Sequence, residues 1–186
     1  MADACGQTMP PASPEPSGGA DGLDGKAVRG FILRFGIFSF ALALVPLIPG
    51  WDGVMSRYLS GVAVLVNGLL HLLGQPTQLD GTNVFSSAFH MAIEPHCSAL
   101  DIVLFYSATV LAFPAAAMRK TVGLLAGFIA IATLNIIRIT TVYLTGIRWP
   151  ANVQGVHEKL WPVFLIMGTV ALCAAWVCYA RKGRAA

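Results

Sequence analysis

The segment Glu94-Pro95-His96-Cys97-Ser98-Ala99-Leu100-Asp101 joins a polar loop to a long apolar run. If this run is a membrane helix, Cys97 lies where the helix meets water. A thiol in that place is close to unpaired backbone N–H groups and to the positive end of the helix dipole, and both favour the thiolate. Ser98 and Asp101 fit the Ser-x-x-acid capping pattern, which predicts a helix start directly after Cys97. The Asp101 charge, one turn further on, opposes the thiolate.

The composition indicates a membrane protein of one domain. Hydrophobic residues make up 56% of the 186 residues and charged residues only 11%, whereas a soluble domain carries about a quarter charged residues. The net charge of +3 comes from basic residues that cluster along the chain, and no nucleic-acid-binding signature is present. We therefore predict an all-α integral membrane protein with no nucleic-acid partner.

Four apolar runs are long enough to cross a bilayer, which takes about 20 residues in a helix. They cover about residues 31–48, 100–118, 121–146 and 160–180. Residues 54–73 are apolar mainly on one side and contain an arginine, an asparagine and a histidine, so an interfacial or half-inserted helix fits better there than a span. Residues 74–96 are predicted to form a polar loop with a short strand around 82–89. The prediction is thus a bundle of about four transmembrane helices plus an interfacial helix.

The basic residues predict the orientation of these spans. Residues 1–28, rich in proline and glycine, are predicted to form a disordered cytoplasmic tail, and 29–184 the membrane-embedded domain. With four spans, eight basic residues fall on the cytoplasmic side: Lys26, Arg29, Arg34, Arg119, Lys120, Arg181, Lys182 and Arg184. Three fall outside, whereas a fifth span at 54–73 gives about five against six. The positive-inside rule therefore favours four spans with both termini cytoplasmic and residues 75–96 outside the cytoplasm.

Arg138 is the most unusual residue inside an apolar run. A guanidinium within a span costs several kcal/mol unless it finds a partner or snorkels towards the headgroups. Asn135, Thr141 and Thr145 lie near the same helical face, and this polar stripe is predicted to face the bundle interior. The structural alternative is an arginine that snorkels outward.

A third residue, His157, opens the last apolar run and shares the outer side with Cys97 and the end of the Arg138 helix. A thiol nucleophile needs a general acid or base nearby, and an imidazole supplies one. The other histidines, His71, His90 and His96, are rivals for this role. The other cysteines are interpreted as a tail residue (Cys5) and as packing residues (Cys173 and Cys178).

Together these residues resemble the exosortase/archaeosortase family. The resemblance covers roughly residues 75–180 and rests on three elements in order: Cys97-Ser98, the segment Leu134-Asn135-Ile136-Ile137-Arg138-Ile139, and His157. Ala-Phe-Pro-Ala at 112–115 and the final His-x-x-x-Trp, ending at Trp161, most resemble the exosortase H type. The family usually has glycine two residues after the cysteine, where this chain has Ala99. If that glycine allows close approach of substrate, Ala99 narrows the site.

The resemblance implies a multi-pass cysteine protease or transpeptidase of the bacterial inner membrane, active on the extracytoplasmic side. Its substrates would be exported proteins with a C-terminal sorting signal made of a short motif, a membrane helix and a basic tail. For the H type, the motif would contain Trp-Gly rather than Pro-Glu-Pro. The membrane lipid would surround the site, and no metal or cofactor would be required.

The roles implied are specific. Cys97 would attack the peptide bond and form a thioester, Arg138 would stabilise the thiolate or the oxyanion, and His157 would protonate the leaving amine and then activate the acceptor. Substrate-binding residues would be Asn135, Ser98, Ala99 and Trp161. No residue identifies the acceptor.

The alternative from another class is a non-enzymatic metal-binding or small-solute membrane protein. Imidazole and thiolate are good ligands for soft transition metals, and His90, His96, Cys97 and His157 would supply them. Their spacing matches no familiar metal site, and Arg138 would repel a cation. The sequence therefore favours the enzyme.

Overall fold

The computed structural model of the protein describes residues 25–182. Its helices are α1 (Gly25–Ala43), α2 (Trp51–Leu72), α3 (Leu100–Ala112), α4 (Ala117–Arg148), the single-turn α5 (Val153–Gly155) and α6 (Trp161–Lys182). Three short strands, β1 (Gln78–Asp80), β2 (Asn83–Phe85) and β3 (His90–Ala92), separate α2 from α3. Of the predicted tail, residues 1–28, the first 24 residues lie outside the described part of the chain. The last four belong to α1, which begins at Gly25.

The chain is an all-α, multi-pass integral membrane protein. Four helical segments are long and apolar enough to cross a bilayer: Gly25–Leu47, Trp51–Leu72, Ala117–Arg148 and Pro150–Lys182. The number agrees with the prediction, but the set of segments differs. The segment that contains α2 qualifies by length and composition, whereas α3 is a shorter apolar helix.

The prediction of one continuous span over residues 100–118 is wrong. Helix α3 has 13 residues, or about 20 Å at ~1.5 Å per residue, against a hydrocarbon core of about 30 Å. It ends because Phe113 is extended (φ −71°, ψ 136°), the conformation that a residue before proline prefers, and Pro114 follows. The extended residues 113–116 then connect α3 to α4.

Helices α3, α4 and α6 pack around a common apolar core, and α1 lies along α3. The ring of Phe35 meets Phe105 edge to face at 5.6 Å. Two glycines of α4 allow the close packing, because a Cβ at Gly127 would overlap the ring of Tyr106 and a Cβ at Gly123 would overlap Trp176. The Tyr106 hydroxyl donates a hydrogen bond to the Gly123 carbonyl (3.0 Å). Helices α1, α3, α4 and α6 are here called the membrane bundle.

Basic residues gather at one end of the bundle, here called the basic end and defined by Arg119, Lys120, Arg181 and Lys182. Arg119 Nη1 donates to the Ala180 carbonyl (3.0 Å), which ties α4 to α6. Lys120 Nζ donates to the Leu111 carbonyl (2.6 Å), which ties α4 to α3. Orphan carbonyls at helix C-termini are well matched by cations, so these bonds fix the three helix ends at one level.

Helix α2 and the sheet pack against the other half of α4. The sheet is antiparallel in the order β1-β2-β3, so the short strand predicted around residues 82–89 is confirmed as part of a larger hairpin arrangement. Buried residues of α2, such as Val66 and Leu70, join Val84 of β2 and Ile139 and Tyr143 of α4 in one core. The α4 residues of this core lie in the C-terminal half of that helix, away from the basic end. An interfacial position for α2 stays a prediction.

The loop between β2 and β3 is anchored on the last turns of α4. Tyr143 donates its hydroxyl to the Phe89 carbonyl (3.1 Å), and the two rings meet edge to face at 5.4 Å. A Cβ at Gly146 would overlap the Phe89 ring. Since Phe89 and β3 form one wall of the site described next, these contacts set the position of that wall.

Candidate active site

Cys97 ends a short 3-10 turn, Pro95–Cys97, and α3 begins three positions later at Leu100. The helix start predicted directly after Cys97 is therefore displaced. The expected capping box does not form: the N-cap residue is Ala99, which makes no side-chain cap. Instead the Ser98 hydroxyl accepts a hydrogen bond from the Leu100 N–H (3.2 Å). Cys97 thus belongs to a structured turn ahead of the helix.

Ala99 has a left-handed backbone, with φ 54° and ψ 23°. It is the one non-glycine residue with positive φ among residues 25–182. A left-handed conformation costs an L-residue about 1–2 kcal/mol, and glycine adopts it without that cost. Backbone conformation therefore gives a physical reason for glycine at this position, distinct from the substrate-approach reason expected from the sequence.

Arg138 and His157 are hydrogen-bonded to each other. Arg138 is 8% exposed, so it faces the interior, as its polar stripe predicts, and does not snorkel outward. Its Nη2 lies 3.1 Å from Nε2 of His157. A guanidinium only donates, so Nε2 accepts, and the imidazole is neutral with its proton on Nδ1. Arg138 Nε is buried and has no hydrogen-bond partner among residues 25–182.

A π-helical turn, Val156–Leu160, carries His157. Pro162 follows this turn within the next helix. A proline in a helix lacks the N–H that would bond the carbonyl four positions earlier, and its ring crowds that carbonyl, here that of Glu158. The wider π turn accommodates both effects. The local sequence thus explains the irregular backbone from which His157 reaches Arg138.

The three predicted catalytic residues line one cavity of about 250 Å³. Its walls come from β3 and the residues around it, from α4 and from the segment before α6. The lining residues are Phe89, Met91, Ala92, Ile93, Glu94, Cys97, Arg138, Ile139, Val142, Val153 and His157. The cavity is therefore mainly apolar, and one thiol, one guanidinium and one imidazole from three separate segments line it together with Glu94. Such convergence of polar groups in an apolar cleft is typical of a binding or catalytic site.

The four predicted substrate-binding residues do not line this cavity. Asn135 is 1% exposed, and its Nδ2 donates to the Cys97 carbonyl (2.7 Å). Ser98 and Ala99 are buried and line a second depression on the other side of the turn. Trp161 packs against Phe164, with ring centroids 6.1 Å apart. Direct substrate contact stays a prediction for all four.

Sequence reasoning missed one residue, Tyr58 of α2. Its hydroxyl donates to the Ser98 carbonyl (3.3 Å), and it comes from a helix 40 positions earlier in the chain. A tyrosine within an apolar segment carries no local signal for such a role. Only the packing of α2 against the start of α3 brings it to the Cys97 turn.

The remaining histidines and the two other described cysteines do not line the cavity. His71 Nε2 is 2.7 Å from the Thr77 carbonyl, while His90 and His96 are exposed. Cys173 and Cys178 are free thiols of α6, and Cys5 lies outside the described residues. Within residues 25–182, no three His, Cys, Asp or Glu side chains are grouped so that they could hold a metal ion. The alternative metal site therefore has no geometric support in this part of the chain.

A family model for transmembrane exosortases (Exosortase_EpsH) matches residues 25–180. The chain belongs to the transmembrane exosortase family. The matched range includes Cys97, Arg138 and His157 and all of the long helices except the last two residues of α6. No curated protein and no solved structure gives a significant match. Membership in this family supports a membrane protein with a role in protein sorting, and protein substrates that carry sorting signals.

Proposed function

We propose that this exosortase is a cysteine transpeptidase that cleaves C-terminal sorting signals of exported proteins and transfers the cleaved protein to an acceptor. The observation that carries the proposal is the convergence of Cys97, Arg138 and His157 on one cavity. A nucleophile, a cation and a proton carrier are the groups that acyl transfer through a thioester requires.

The proposed reaction begins at the Cys97 sulfur. The thiolate attacks the carbonyl carbon of the scissile peptide bond, and the tetrahedral oxyanion forms beside the Arg138 guanidinium. The C–N bond then breaks, the amine leaves with a proton, and Cys97 holds the protein as a thioester. A nucleophile attacks the thioester carbon, its proton is taken up by a base, and the thiolate is released.

The hydrogen bond between Arg138 and His157 assigns their parts. As long as Nε2 accepts from Arg138, the imidazole is neutral and carries its single proton on Nδ1. A neutral ring is a base: Nε2 exchanges its bond to Arg138 for the Cys97 thiol proton, and the imidazolium so formed gives that proton to the leaving amine. The ring, neutral again, then takes a proton from the acceptor, while Arg138 remains the permanent cation of the site. Arginine suits this role because it stays charged when buried.

The site is proposed to face the extracytoplasmic side of the bacterial inner membrane. Arg119 at the basic end and Arg138 at the cavity are 19 positions apart on α4, or about 28 Å at ~1.5 Å per residue. A hydrocarbon core of about 30 Å that begins at the basic end therefore finishes near the cavity. Because basic residues favour the cytoplasmic side, the cavity is assigned to the outer side.

The proposed substrates follow from the family and from this placement. An exported protein with a short motif, a membrane helix and a basic tail would place the motif at the level of the cavity, with the Trp-Gly element expected for the H type. The lipid bilayer holds both partners. No described residue identifies the acceptor, which is an amine, a hydroxyl or water by chemical class.

The test is co-expression of the full chain with an exported protein that carries such a signal, followed by mass spectrometry of its C-terminus. Wild-type protein should remove the signal, whereas Cys97→Ala and Cys97→Ser should accumulate uncleaved substrate, because a hydroxyl without a strong base is a poor nucleophile. The double variant Cys173→Ala/Cys178→Ala is the matched control and should cleave normally. Normal processing by Cys97→Ala would overturn the proposal.

A further inference from the structure

We propose that Tyr58 and Asn135 are positioning residues that hold the turn after Cys97 in its left-handed conformation and so direct the thiol into the cavity. This inference rests on the proposed function for its catalytic meaning. Neither side chain lines the cavity, so neither is proposed to touch the reacting atoms. Each acts on the backbone that carries Cys97.

The two side chains come from different helices and donate hydrogen bonds to consecutive backbone carbonyls. Asn135 of α4 donates Nδ2 to the Cys97 carbonyl (2.7 Å). Tyr58 of α2 donates its hydroxyl to the Ser98 carbonyl (3.3 Å). These are the two peptide groups directly ahead of Ala99, so together they fix the orientation of the chain as it enters the left-handed residue.

The rest of the turn is held from the helix side. The Ser98 hydroxyl accepts from the Leu100 N–H (3.2 Å), and the Ala99 carbonyl accepts from the N–H groups of Ile102 (3.2 Å) and Val103 (3.1 Å). Helix α3 therefore fixes the peptide group that follows Ala99, and Asn135 and Tyr58 fix the two peptide groups that precede it. Strained conformations persist only where surrounding contacts over-determine them, and here contacts on both sides do so.

Removal of either of these two hydrogen bonds should let Ala99 relax towards a right-handed or extended conformation. Rotation at Ala99 turns the preceding peptide groups, and the Cys97 thiol then loses its orientation into the cavity that Arg138 and His157 also line. A glycine at position 99 has no steric reason to leave the left-handed region. The structure therefore predicts coupling between Tyr58 and position 99, although the tyrosine bonds a different residue.

The experiment is a double-mutant cycle in the full chain, purified in detergent, with Tyr58→Phe, Ala99→Gly and their combination. The first readout is the rate at which iodoacetamide modifies Cys97, measured by mass spectrometry of its peptide. The second is kcat and KM for cleavage. Tyr58→Phe should lower the modification rate and kcat about five-fold, the range expected for one neutral hydrogen bond, with KM within about two-fold. In the Ala99→Gly background, the same change should cost less than about two-fold, because the strain that Tyr58 opposes is absent there.

Tyr179→Phe, an exposed tyrosine near the basic end, is the matched control and should leave both rates unchanged. The proposal is overturned if Tyr58→Phe behaves like this control, or if its loss is equal with alanine and glycine at position 99. If Tyr58→Phe does not give folded protein, Asn135→Ala in the two backgrounds decides by the same comparison. The modification rates are measured without substrate. If no cleavage occurs at all, the proposed function is refuted, while the modification rates in the double-mutant cycle still test the role of Tyr58.

Discussion

Replacement of Arg138 by lysine tests whether the site needs the guanidinium group or only its positive charge. The guanidinium is 8% exposed and donates Nη2 to His157 over 3.1 Å. Lysine keeps the charge but has neither the planar fork nor the same reach. A hydrogen bond to a charged group is worth about 1.5–3 kcal/mol, and loss of one oxyanion donor costs about 2.7–4 kcal/mol.

Since these two effects involve the same side chain, they do not add. We expect Arg138→Lys to lower kcat/KM about 100-fold, which corresponds to about 2.7 kcal/mol of transition-state stabilisation at ~1.36 kcal/mol per factor of ten. Purified variant and wild type would be compared on a peptide that carries the sorting motif. Arg148→Lys, at the exposed end of the same helix, is the matched control and should lose less than about two-fold.

Loss of chemistry and loss of folded protein are separated by two further measurements. If Arg138→Lys reaches the membrane in normal amount and its Cys97 is modified more slowly than in wild type, the loss lies in the chemistry. Cleavage within about three-fold of wild type would refute the reasoning, because Arg138 would then only fill a structural position.

The other predictions concern placement and packing. A cysteine introduced at Gln78 should react with an impermeant thiol reagent in intact cells, and one at Met118, beside the basic end, should react only after lysis; the reverse pattern would contradict the proposed orientation. Gly127→Ala should destabilise the protein by about 2 kcal/mol, since the new methyl group overlaps the Tyr106 ring. Thermal unfolding in detergent measures this, and Gly68→Ala, which meets no atom within 4 Å, should unfold as wild type does; equal midpoints for the two alanine variants would contradict the packing argument.

Hydrophobic length and the distribution of basic residues predicted much of the fold. They identified the helices that became α1, α4 and α6, because a long apolar run with basic flanks has few alternatives in a membrane. They also placed Cys97, Arg138 and His157 at one depth, and the cavity brings these three together. Apolar composition alone does not predict the length of α3, because Pro114 favours the extended conformation of Phe113 that ends this helix.

The conformation of the Cys97 turn could not be predicted from the sequence. The capping pattern of Ser98 and Asp101 suggested an ordinary helix start, yet the backbone of Ala99 depends on hydrogen bonds from α4 and α2. Those bonds join residues 38 and 40 positions apart, and local patterns carry no information about such pairs. The sequence predicts that the buried Arg138 needs a partner. It does not predict the contact with His157 Nε2, because the π turn before Pro162 sets the direction of that side chain.

The shortness of α3 has a consequence for biosynthesis. A helix of 13 residues is too short to remain across a bilayer alone, so in a nascent chain that has emerged only as far as Met118 it has α1 to pack against, through Phe35 and Phe105, but no contact yet from α4. Once α4 follows, Tyr106 bonds the Gly123 carbonyl and Lys120 bonds the Leu111 carbonyl, and both bonds close the hairpin of these two helices. We therefore expect α3 and α4 to enter the membrane as one unit, and the Cys97 turn to gain its bond from Asn135 only after the ribosome has translated that part of α4.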